Sequence, residues 1–315
     1  MIDPTPASLR GFTKLVSLST LFLVFAGAMV TSTGSGLAVP DWPLSYGMLM
    51  PPMVGGIFYE HGHRIVATVV GFLTLVQAFW IQFREPKRFV RKLGWLSLLA
   101  VCVQGLLGGL TVLLFLPKAI SISHAALAEI FFCINLSIAF FTSKTYLNLQ
   151  SARRTSRDFF PATRVAFVAI FSQILLGAWM RHLGAGLAIP DYPLSFGKVI
   201  PPLREVAVIS NFAHRTLAYI VAAIVVVTVI RIFSSGARPL FPLATALVSL
   251  LPIQILLGAF TIWSGKHPIT TSLHVVTGAA LFGLSLLLML TARAVRDPRS
   301  STAGSSFIDR DAVTA

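Results

Sequence analysis

Four of the seven histidines in this 315-residue chain form two matched pairs: His63 and His214 lie 151 residues apart, and His124 and His274 lie 150 apart. All four sit where long apolar runs begin. An ionisable ring at membrane depth is costly unless it is hydrogen-bonded, lines a cavity or binds a cofactor. Two imidazoles from facing helices suit the axial positions of a haem iron, whose apolar macrocycle fits a bundle rich in small residues. Zinc would want three or four converging protein ligands, and each half offers two matched ones. The expectation is therefore two metal sites, His63 with His124 and His214 with His274, each holding a haem iron. Hydrogen-bonded structural histidines are the alternative. His61, His182 and His267 have no repeat partner and receive no role, the last two being read as loop residues.

The residues around the matched histidines separate the two sites. Glu60 precedes His63 by three residues, so both lie on one helical face, about 60° and ~4.5 Å apart along the axis. Its counterpart before His214 is Asn211. A carboxylate can accept a proton or stabilise developing positive charge, and an amide cannot. Glu60 is thus the candidate catalytic group, which makes the first half the reactive one. Pairing of Glu60 with Arg64 at i,i+4 is the competing reading. Arg64 and Arg215 directly follow the histidines and are candidate cofactor-binding residues, offering bidentate donors to haem propionates. Interfacial anchoring explains them equally well. Gln104, Gln173 and Gln254 each open a Gln-x-x-Leu-Gly segment and are read as interhelical hydrogen-bonding residues. Gly71, Gly105, Gly108, Gly109, Gly177 and Gly258 leave room for a macrocycle, or for close helix packing. Glu129, facing Ala279 in the repeat, is read as a structural acid.

These residues need a scaffold, and composition dictates its kind. The chain is 55% hydrophobic and 11% charged, and eight apolar segments are long enough to cross a bilayer: 15–33, 65–83, 93–116, 119–143, 163–181, 206–233, 239–263 and 269–292. In lipid such segments must be helices, which predicts an all-α integral membrane protein. Signal-peptide chemistry is missing around Thr31 to Gly36, so the first segment is kept as a span. The segment GSGLAVPDWPLSYG at 34–47 returns as GAGLAIPDYPLSFG at 184–197. Four spans per copy give both copies one orientation, predicting two tandem four-helix bundles related by a pseudo-twofold axis along the membrane normal. The expected organisation is 1–150, 151–296 and a disordered cytoplasmic tail at 297–315. The repeated loops, with Asp41, Trp42 and Tyr46 or Asp191, Tyr192 and Phe196, either sit in the headgroup belt or cover a site.

The formal charge of +14 is concentrated in alternate connections. Arg84, Lys87, Arg88, Arg91 and Lys92 follow the second span; Lys144, Arg153, Arg154, Arg157 and Arg164 separate the halves; Arg231 and Arg238 follow the sixth; and Arg293, Arg296 and Arg299 follow the eighth. The positive-inside rule then puts both termini in the cytoplasm of a cell (inner) membrane protein. The charge faces anionic lipid rather than nucleic acid. Cys102 and Cys133 both fall inside spans and define no disulfide framework.

Taken together, Glu60-x-x-His63-Arg64, His124, Asn211-x-x-His214-Arg215, His274 and the repeated Gly-Leu-Ala-x-Pro-Asp-aromatic-Pro-Leu loop resemble the haem A synthase family. The likeness runs from about residue 15 to 292. It implies oxidation of a ring methyl of haem O to the formyl group of haem A, for cytochrome oxidase assembly. It also implies substrate haem between His63 and His124, haem b between His214 and His274, and a catalytic Glu60. The cysteine pair that many relatives carry in an outward loop is missing, so no thiol role transfers. Since bis-histidine iron has no open position, either one histidine leaves or the ring is oxidised by electron removal and attacked by water; the sequence does not choose.

The implied partners are haem O, a haem O synthase, an electron donor such as quinol, oxidase assembly factors and the lipid bilayer, with a homo-oligomer also allowed. Two other functions stay open at this stage. A dihaem b-type cytochrome or quinol oxidoreductase would use Glu60 only for quinol protons, and a small-molecule transporter could share the parallel repeat.

Overall fold

The computed structural model describes residues 5–151 and 158–296; Arg153, Arg154, Arg157, Arg299 and the expected tail at 297–315 lie outside the described residues. Among the described residues nine α-helices run in chain order: α1 Ala7–Ser32, α2 Gly55–Arg84, α3 Arg88–Leu113, α4 Lys118–Thr142, α5 Lys144–Ser151, α6 Phe160–His182, α7 Val206–Ser234, α8 Phe241–Trp263 and α9 Pro268–Ala294. All except α5 are long and apolar enough to span a membrane, which makes this an all-helical, multi-pass membrane protein. The short α5 was not foreseen. It packs on α4 and α9, and the expected boundary at 150/151 falls on its last turn.

Within the first half α1 touches α2, α2 touches α3, α3 touches α4, and α4 closes back on α1. The second half repeats this ring with α6, α7, α8 and α9. The halves meet where α1 contacts α9, α4 contacts α6, and α4 contacts α9, a scheme that is unchanged when the halves are exchanged. Arg181 of α6 adds a polar tie across this seam, donating to Ser32 Oγ at 2.8 Å and to the Ala28 carbonyl at 3.3 Å. The sequence reading puts His182 in a loop; it belongs, with Arg181, to the last turn of α6.

The largest correction concerns α2, whose helix begins ten residues before the predicted apolar span at 65–83. The additional turns carry Glu60, His61, His63 and Arg64, which depress local hydropathy although Glu60 and His61 are buried. Protein contacts bury Glu60 and His61, while Phe58 on the same turns stays exposed.

The two halves hold their centres differently. In the first, Asn135 of α4 accepts from Gln77 of α2 and Ser97 of α3, each at 2.8 Å, and reaches Thr20 of α1 at 3.5 Å. Four helices thus share one buried polar knot. In the second, the positions matching Thr20 and Ser97 are Ile170 and Leu247, and the centre is an apolar cluster in which Phe282 stacks on Phe167 and Phe171.

Candidate haem-binding site

Helix geometry sets all four matched histidines at the same end of the protein. His63 and His214 are the ninth residues of α2 and α7, and His124 and His274 the seventh of α4 and α9. At 1.5 Å per residue they lie about 12 Å and about 9 Å in from the first residue of their helices. Within each half the two imidazoles come from two different helices, α2 and α4 or α7 and α9.

Every one of these rings rests on a glycine of the preceding helix. A β-carbon at Gly27 would lie 3.1 Å from His63 Cε1, at Gly108 3.3 Å from His124 Cε1, at Gly177 2.8 Å from His214 Cε1, and at Gly258 3.1 Å from His274 Cε1. The missing side chain is what lets the ring lie against the helix backbone. Three of the four glycines had been singled out in the sequence; Gly27 had not, because Leu23 replaces the glutamine that marks the others. Gly71 and Gly105 face open space and seat nothing. Gly109 instead carries the Trp42 indole, whose Cδ2 would be 2.6 Å from an added β-carbon.

Glu60 is buried and doubly engaged: its Oε2 accepts from the Val39 N–H at 2.8 Å and its Oε1 from Arg64 at 2.7 Å. The i,i+4 pairing therefore exists alongside the placement one helical turn from His63. Asn211 reverses the polarity of this contact, donating from Nδ2 to the Ala185 and Gly186 carbonyls at 2.9 and 3.2 Å. Arg64 donates to the Asp41, Leu44 and Val39 carbonyls, and Arg215 to those of Asp191, Leu194 and Ile189. Both guanidiniums thus grip the connection that folds over their own half.

The two connections are built alike. Each has a cis proline bond, Trp42–Pro43 or Tyr192–Pro193, and each has an aspartate closing a tight turn. Asp41 accepts from the Tyr46 and Gly47 N–H groups at 2.6 and 2.8 Å, and Asp191 from Phe196 and Gly197 at 2.7 and 2.8 Å. These backbone donors, Gly47 and Gly197 foremost, hold both carboxyls below the usual aspartate value. Tyr192 is pushed up to about 12, chiefly by desolvation and then by its bond to the Tyr219 hydroxyl. His61 accepts or donates at Nδ1 to Ser45 Oγ, 2.8 Å away, and so ties α2 to the first connection.

The donor set fits haem. Among the described residues no three His, Cys, Asp or Glu side chains converge as a metal cluster, so a site built on two imidazoles calls for an ion that brings its other ligands with it. Buried Nδ1 atoms of His63 and His124 have no hydrogen-bond partner among the described residues, which leaves polar ring atoms available at this depth. Glu129 lies outside this set, with a buried Oε2 that has no hydrogen-bond partner among the described residues.

Residues 53–286 match the family COX15-CtaA, described as cytochrome oxidase assembly protein. The chain is 30% identical over 238 residues to the Heme A synthase of Symbiobacterium thermophilum, covering 73% of this chain and 76% of that one. It is 26% identical to the Heme A synthase of Alkalihalophilus pseudofirmus, over 90% of this chain and 98% of the relative, and 27% identical to that of Geobacillus kaustophilus, over 92% and 94%.

Proposed function

Since the chain belongs to the COX15-CtaA family of cytochrome oxidase assembly proteins, we propose that it makes haem A by oxidising a ring methyl of haem O to a formyl group. In this reading it is an oxidoreductase of a cell membrane with both termini in the cytoplasm, as the distribution of arginine and lysine supports. Two four-helix bundles, related by an axis along the membrane normal, divide the work. The observation that carries the assignment is a duplicated histidine seat with one unmatched acid beside it: Glu60 in the first half, Asn211 in the second.

His63 and His124 take the substrate haem, and His214 and His274 a resident haem b. When bound, haem b supplies one-electron redox chemistry. Glu60 acts beside the substrate as proton acceptor or counter-charge. Its two donors, the Val39 N–H and the Arg64 guanidinium, fix the carboxylate in place. Arg64 is a positioning residue, since it joins Glu60 to the covering loop. The connection at 33–54 shields the site from water, with Trp42 docked on α3 beside the His124 seat. Reducing equivalents come from a donor such as quinol, and haem O from its own synthase.

Co-expression with a haem O-forming farnesyltransferase, followed by extraction of the pigments, tests the reading. Haem A is expected from the native chain. Glu60→Gln should abolish haem A while haem b stays bound. A pigment pool of haem b alone from the native chain under these conditions would overturn the assignment in favour of a b-type cytochrome.

A further inference from the structure

Beyond the glycine seats, the four histidines differ in what grips them. Gln173 of α6 donates to the His214 carbonyl at 2.9 Å and stands 3.1 Å from its Nδ1. Gln104 of α3 donates to the His124 carbonyl at 3.0 Å and stands 3.4 Å from its Nε2. The His274 Nδ1 is 3.1 Å from the main-chain carbonyl of Gln254 in α8, and the Gln254 amide nitrogen lies by Gly278, one turn beyond the histidine. In each case the glutamine sits four residues before the seating glycine, one turn along the same helix. At the fourth seat that position is Leu23, which packs into an apolar cluster with Val66 and Val70. Like the His124 Nδ1, the buried His63 Nδ1 bonds to nothing among the described residues, but His124 keeps the Gln104 contacts at its carbonyl and Nε2, and no glutamine of the preceding helix holds His63.

A ligand ring whose backbone and second nitrogen are bonded by the neighbouring helix loses those bonds when it swings off the metal. A ring resting only on a glycine loses much less. We infer that Gln104 and Gln173 are positioning residues that keep their histidines on iron, as the main-chain carbonyl of Gln254 does for His274, and that Leu23 makes His63 the one ligand built to release. The first half then has a firm ligand, His124, and a yielding one, His63, on the helix that carries Glu60. The second half has two firm ligands, as suits a group that stays. This inference rests on the haem reading of the two sites.

Carbon monoxide binds ferrous haem only where an axial ligand gives way, so it reports release without requiring turnover. The protein is purified with haem in both halves, reduced with dithionite and titrated with carbon monoxide by its Soret spectrum. The native chain should bind one carbon monoxide per two haems. Leu23→Gln should weaken that binding about tenfold, the effect of one net hydrogen bond, and Gln173→Leu should open the second haem by a similar factor. Leu23→Met controls for packing and should behave as native; should Leu23→Gln not accumulate, Gln173→Leu decides alone. Pigmented variants whose titrations stay within about twofold of native would overturn this inference while leaving the haem sites intact. Carbon monoxide on both haems or on neither in the native chain would also overturn it. A chain that takes up no haem would overturn the reading of the sites themselves.

Discussion

Gly177 and His214 form the tightest of four like contacts, with only 2.8 Å between the ring Cε1 and the place a β-carbon would occupy. A methyl group there must move the imidazole or part α6 from α7. Gly177→Ala should cost about 1–3 kcal/mol of stability and empty the second half of haem, since neither ring nor helix backbone can yield freely. Gly108→Ala, at 3.3 Å, should be milder and affect the first half only. Pyridine haemochrome content against protein concentration measures both.

The same argument applies to Gly109 and Trp42, with a different expected readout. An alanine at 109 would meet the indole at 2.6 Å, displacing the covering loop while leaving His124 on its seat. Gly109→Ala should therefore raise the accessibility of the first haem to aqueous quenchers or oxidants several-fold, with haem content near native. The second half has Ala259 at the matching position and covers itself instead with Tyr192, bonded to Tyr219 and edge-on to Trp263.

Acid should loosen both covering loops, and the sign follows from the direction of the aspartate shifts. Asp41 and Asp191 are held below 3.8 by backbone N–H donors, so they bind protons less readily folded than unfolded. Their contribution is present above the ordinary aspartate value and is lost as pH falls through the lowered one. Solvent exposure keeps the effect small. Trp42 emission, read in a background with the other four tryptophans replaced by phenylalanine, should stay constant at neutral pH and change only below about pH 4. Asp41→Asn should remove that acid transition and leave the loop looser at every pH.

Removing the polar knot tests how the first half is assembled. Asn135→Leu strands the amide of Gln77 and the hydroxyl of Ser97 in an apolar interior, at a cost of about 1–3 kcal/mol for each group left unsatisfied. Thermal unfolding in detergent should fall by several degrees, with loss of haem from the first half preceding loss from the second.

Much of this arrangement was legible from residue type and spacing. The repeat at 150 residues fixed the pairing of the histidines, and the apolar runs gave eight spans that the helices match closely at α4, α7, α8 and α9. The α2 start was hidden because hydropathy counts Glu60, His61, His63 and Arg64 as water-seeking, whereas the covering loop and Arg64 satisfy the buried acid. Arg64 and Arg215 read equally as propionate donors or anchors from residue type alone; the loop carbonyls they bond depend on how each connection folds back over its own half. Gly27 escaped notice because a lone glycine in an apolar helix has no signature, and its meaning arises from a ring 36 residues away. The knot around Asn135 was invisible for a similar reason, since its four members come from four helices and their counterparts form no such network: Ile170 and Leu247 are apolar, and Thr228 and Ser285 bond within their own helices.

That knot also dictates how each bundle can drift over evolutionary time. Directional bonds from one asparagine to three partners fix helix register and leave few acceptable exchanges at Thr20, Gln77, Ser97 and Asn135. Aliphatic packing around Ile170 and Leu247 tolerates one branched side chain for another, so a saturation-mutagenesis map should be sparse at the centre of the first bundle and permissive at the centre of the second.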